Sequence, residues 1–161
     1  MKDKGLNKYF LIIFSITLIV LLGISSILTV KVKDVDINEI MSNIESNCDF
    51  SKLNLGSSKD LKRTYGINPD DIEDFRIYTP ISNMNADELL LIRVKNADDT
   101  EAIEKKIEEI TEKQGNSFKD YAPDQYDLIE SKLLYSKGKY FILFVGKDVE
   151  NASKAFKQCF R

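Results

Sequence analysis

The chain has no histidine and only two cysteines, Cys48 and Cys159, among its 161 residues. A histidine general base is therefore excluded, and the Ser-His-Asp triad with it. Two thiols and no imidazole cannot build a His- or Cys-based zinc site. An excess of positive charge is missing as well. The formal net charge is −3, and past residue 30 the chain carries 20 basic against 25 acidic side chains. That balance argues against a nucleic-acid-binding domain, which shows a basic patch. There is no P-loop, no G-x-S-x-G and no G-x-G-x-x-G. Two acidic runs do not fill the gap. Asp70, Asp71, Glu73 and Asp74 lack the spacing and the glycine of an EF-hand loop. Asp98, Asp99 and Glu101 stand at a helix start, where the dipole favours acids. The reading requires no metal and no cofactor.

One long apolar run is present. "YFLIIFSITLIVLLGISSILTV", residues 9–30, holds 22 residues without a charge. As a helix it would extend roughly 33 Å, enough for a bilayer core. A cleaved signal peptide has a shorter apolar region that ends in a small-x-small site, and no A-x-A pattern follows here. The expectation is an uncleaved single-pass membrane anchor. Three lysines precede the run, and Lys31 and Lys33 follow it. That bias, with a short N-terminus, favours residues 1–8 inside and the C-terminal domain outside the cell membrane.

Beyond the run the pattern alternates between helix and strand. Ile37, Ile40, Met41 and Ile44 share one helix face, with Asp36 as N-cap. "CDFSKLNLGSS" reads as a connector, so residues 31–57 form a helix and connector ahead of the main domain, 58–161. "SSKDLKRTYGIN" is a short helix that Gly66 stops. "DFRIYTP" and "ELLLIRVK" are strands that pair as a hairpin across "ISNMNAD". "ADDTEAIEKKIEEITEKQG" is an amphipathic helix ending at Gly115. "KGK" turns a second hairpin into the most apolar strand, "YFILFV", and "KDVENASKAFKQCF" closes the chain as a helix. Two ββα units result. The expected fold is α+β: a two-layer domain with a four-stranded antiparallel sheet and helices mainly on one face.

"NSFKDYAPDQY", residues 116–126, joins the two units. Pro123 fits the first turn of a helix, and Phe118 and Tyr121 can cover the end of the sheet. The stretch reads as an architectural joint that also presents a polar-aromatic rim of Lys119, Asp120, Tyr121, Asp124, Gln125 and Tyr126. Asn83, Met84 and Asn85 form a second candidate binding loop. Cys48 and Cys159 can either pair in a disulfide or stay as two separate buried thiols.

"LKRTYGINPDDIEDFRIYTPISNMNADELLLIRVKN", followed by "NSFKDYAPDQYDLI" and "KGKYFILFVGKD", resembles an uncharacterised, numbered family of domains of unknown function from clostridia and related Gram-positive bacteria. The most specific pieces are Tyr65-Gly66, the Ser82–Met84 loop with Glu88, and residues 116–126. The resemblance implies a small extracytoplasmic protein held by a lipid-modified cysteine or a membrane helix. No lipobox is present, which favours the helix. The family brings no activity and no catalytic residues. The functional expectation is a membrane-anchored interaction module that binds another envelope protein or a cell-wall component. The alternatives are a small cell-wall hydrolase using carboxylates such as Asp120 and Asp124, and a structural subunit of the envelope.

Overall fold

The computed structural model describes residues 13–17 and 32–161. The chain divides into two compact units, Met1–Lys31 and Val32–Arg161. In the first, residues 13–17 are helical, and the Thr17 hydroxyl donates to the Ile13 carbonyl. The expected membrane-spanning helix over residues 9–30 is not supported. No helix among the described residues is long and apolar enough to cross a membrane. The remainder of that segment lies outside the described residues. The single-pass anchor, and the placement of the domain outside a membrane that depended on it, are withdrawn.

The second unit starts with α1, Ile37–Glu45, whose buried side are Ile37, Ile40, Met41 and Ile44. Asp36 caps it by accepting from the Asn38 amide at 2.7 Å. Strand β1, Leu53–Leu55, follows, then α2, Ser58–Tyr65. A capping box between Ser57 and Asp60 starts α2, and Gly66 ends it at φ 60°, where a side chain would be strained. Strands β2, Ile72–Pro80, and β3, Glu88–Val94, form the first hairpin. Helix α3 spans Thr100–Phe118 and α4 Pro123–Glu130. Strands β4, Leu133–Lys137, and β5, Tyr140–Val145, make the second hairpin, turned tightly by Gly138 at φ 59°. Helix α5, Val149–Gln158, closes the fold.

The sheet has five antiparallel strands in the order β1-β2-β3-β5-β4, not the expected four. The extra strand lies in the "CDFSKLNLGSS" connector. Three residues are too few to show a period of two, and only their pairing with Tyr78–Pro80 of β2 makes them a strand. The α+β class holds, but the two-layer arrangement does not. Helices α1 and α5 cover one face, packing on Leu89, Leu91, Tyr140, Ile142 and Phe144. Helices α2, α3 and α4 cover the other, packing on Ile77, Leu90, Ile92, Phe141 and Leu143. The helices that follow the two hairpins thus lie on opposite faces. This explains why every residue of β5 and all but one of β3 are buried: both strands are central and roofed on both sides.

One local expectation is corrected, and one open alternative is narrowed. Gly115 does not end α3, which runs three residues further. A Cβ on Gly115 would lie 3.2 Å from Ile129 Cγ2, so the glycine serves the close approach of α4 to α3. Cys48 and Cys159 form no disulfide; both are free. Cys48 faces the Asp148 carbonyl, just before α5, whereas Cys159 follows the other end of that helix and donates to the Ala155 carbonyl. Ten helical residues separate the two places by about 15 Å, far beyond disulfide reach. Burial, with the Asp148 charge, raises the Cys48 thiol to about 11, so it stays protonated.

Entry to this unit is tied to the sheet by Tyr140. Its hydroxyl accepts from the Val35 amide at 2.9 Å and reaches Asp34 Oδ1 and the Val35 carbonyl, each at 2.7 Å. Arg93 completes the tie with an ion pair to Asp34 at 2.7 Å.

Candidate functional site

Both candidate loops stand at one end of the sheet. The β2–β3 turn, residues 81–87, follows Pro80 and leads straight into β3. The α3–α4 joint, residues 119–122, follows Phe118 and leads into α4 at Pro123. The turn is fastened to the first turn of α4, directly after the joint, by Gln125 Oε1, which accepts from the Ala86 amide at 2.9 Å. The Ile81 amide also donates to the Lys52 carbonyl, so the segment before β1 joins the same end. Within the turn, Ser82 accepts from the Asn85 amide through its carbonyl and from the Met84 amide through its hydroxyl.

The sequence-predicted residues fall into two groups here. Asn83, Met84, Lys119, Asp120, Tyr121 and Asp124 are exposed. Asn85, Gln125 and Tyr126 are half-buried and serve the joint. Tyr126 packs beside Gly115 and carries the Lys119 ammonium 5.8 Å above its ring. Tyr121 rests against the buried Phe118 ring, with centroids 5.5 Å apart, yet stays 56% exposed. Ile81, which no sequence pattern marks, is also 56% exposed, as is Met84. Three large apolar side chains therefore meet solvent on two loops held together.

The electrostatics of this end do not suit acid catalysis. Asp124 accepts from the Gln125 side chain at 2.9 Å, which holds its carboxyl below the usual range; the Lys52 charge adds to the effect. An exposed carboxylate held ionised is no general acid. Asp120 is likewise exposed. Among the described residues no cluster of three or more His, Cys, Asp or Glu could hold a metal. The acidic run at 70–74 is used in surface pairs instead: Asp74 with Arg76 at 2.8 Å, and Glu73 with Arg93 and Lys139.

Beneath the turn lies Glu88, the one carboxyl among the described residues with a strongly raised pKa. It is 3% exposed, and burial lifts it to about 7 despite a hydrogen bond from the Tyr65 hydroxyl. Tyr65 is buried too, and desolvation with the Glu88 charge pushes it well above its ordinary value. The signal was legible in part, since "ELLLIRVK" opens an otherwise apolar strand with an acid. Its partner on α2 was not.

No curated protein matches this chain, and no solved structure matches it. One family model does, over residues 46–146, which take in all five strands and helices α2 to α4. The match carries no activity, and it says nothing of a bacterial source or of lipid attachment. The chain belongs to the domain of unknown function DUF4358.

Proposed function

We propose that this domain is a protein-binding module whose contact surface is the end formed by the β2–β3 turn and the α3–α4 joint. One observation carries the reading: Ile81, Met84 and Tyr121 are each more than half exposed on two loops that the Gln125–Ala86 bond holds together. Methionine and aromatic side chains are enriched at protein interfaces, and burying three of them supplies the anchors that a specific contact needs. Asn83, Asn85 and Asp124 provide hydrogen-bonding groups around these anchors.

The test places a photo-crosslinking residue at Met84, at Tyr121 and, as control, at Lys105 on the solvated side of α3, in the native cells. Met84 and Tyr121 are expected to capture the same protein and Lys105 to miss it. Binding of that protein to the purified chain should weaken at least tenfold in the Met84→Ala/Tyr121→Ala double variant. Equal labelling from all three positions, or unchanged binding in the double variant, refutes this surface.

A further inference from the structure

We propose that Glu88 and Tyr65 form a proton-controlled latch beneath the β2–β3 turn, closed while Glu88 is protonated and loosened when it ionises. Glu88 is the first residue of β3 and the second after Ala86, where the turn is tied down. Side chains alternate along a strand, so Glu88 shares the face of Leu90 and not that of Leu89. That face is apolar around it: Leu61, Ile67, Ile77, Ala86, Leu90 and Val145. Glu88 Oε1 has no hydrogen-bond partner.

The groups packed about it offer little to an anion. Helix α2 presents the Tyr65 hydroxyl. Strand β5 places Val145 opposite. From α4, the Gln125 oxygen is engaged by Ala86, and Asp124 is exposed. Asp87 is adjacent in sequence and points to the other face. No lysine or arginine pairs with Glu88 among the described residues. An ionised carboxylate here is an unpaired buried charge, which is relieved by admitting water. The covering element easiest to displace is the turn, which is held to its surroundings at Ile81 and Ala86, whereas β3 and β5 are hydrogen-bonded on both sides.

The direction follows from linkage. The carboxyl is raised from 4.5 to about 7 in the closed form. If it is ordinary once the turn opens, opening grows about tenfold per pH unit between those values, about 300-fold in all, and levels off above pH 7.

Amide hydrogen exchange on the full-length chain from pH 4 to 9, corrected for intrinsic exchange, tests this. Protection at Ala86 and Glu88 is expected to fall by up to about 300-fold and to stay well below that of Leu91 and Ile142 at every pH. Glu88→Gln should flatten the fall. Tyr65→Phe, which removes the hydrogen bond to the carboxylate, should shift its upper end to higher pH and serves if Glu88→Gln does not fold. Flat protection at the turn in the wild-type chain overturns the latch. So does protection at the turn as high as that at Leu91 and Ile142, because the turn would then exchange only when the whole fold unfolds.

Discussion

The two faces of the sheet each bury a tyrosine near a carboxylate, and the outcomes are opposite. On the α1/α5 face, Tyr140 sits at the margin. Its hydroxyl has the Val35 backbone and Asp34 as partners, and Arg93 neutralises the acid. Its surroundings are rings: Phe160 lies 5.0 Å from it and Phe156 lies 5.1 Å from Phe160. On the α2/α3/α4 face, Tyr65 and Glu88 sit among apolar side chains, with no ion-pair partner among the described residues and with one Glu88 oxygen unpartnered. A buried polar group with its partners complete costs the fold little. One with partners missing makes stability conditional on its protonation.

That contrast can be broken in order of expected effect. Phe156 on α5 is fully buried and packs edge-on against Tyr135. Phe156→Ala should cost about 3–5 kcal/mol in urea unfolding, the scale of emptying an aromatic site. A loss below about 1 kcal/mol would show that the α1/α5 face is loosely packed.

Glu88→Gln comes next and carries a sign. The folded carboxyl is raised from 4.5 to about 7, so its ionisation penalty is absent below 4.5, grows as pH rises and is complete above 7. The variant should match the wild-type chain at pH 4 and exceed it by about 3 kcal/mol at pH 8. Parallel stability curves for the two chains would place Glu88 in contact with water.

Tyr140→Phe keeps the ring and strips the hydroxyl from the buried Val35 amide. A loss of about 1–2 kcal/mol is expected in thermal unfolding, with little pH dependence between 5 and 8. A strongly pH-dependent loss would erase the difference between the two tyrosines.

Gln125→Ala has the smallest effect on stability, about 1 kcal/mol, because it frees one amide at the surface end. Its larger consequence is local. Exchange protection at Ala86 should drop at all pH values, and protection at Ile142 should hold.

Much of the chain was readable from local chemistry. Asp36 and Gly66 mark helix ends because caps and left-handed stops are decided by one or two residues. Both hairpins were readable from alternation and turn residues. The misread parts share one cause. Strand β1 has no pattern of its own and exists by pairing with β2. Gly115 looks like a stop until α4 is placed against it. Cys48 and Cys159 could be read as a pair or as separate thiols, and only the placement of α5 shows its length lying between them. At the candidate site, Met84, Tyr121 and Ile81 are all exposed, but an isoleucine after a proline gives no sign in the sequence of which way it faces.

By itself the sequence determined that the chain has no histidine chemistry, that it is α+β, that two hairpins each lead into a helix, and that it resembles a family without a known activity. Tyr65 and Glu88 were visible only as separate pieces of that resemblance. Tertiary structure alone decided that helices roof both faces, that the two loops share one end, and that Tyr65 and Glu88 meet. The reason is physical. Caps, turns and periodicity are interactions among near neighbours and are written in order along the chain. Which face a helix covers, and which acid a tyrosine reaches across 23 positions, depend on packing among elements that the order of residues does not fix.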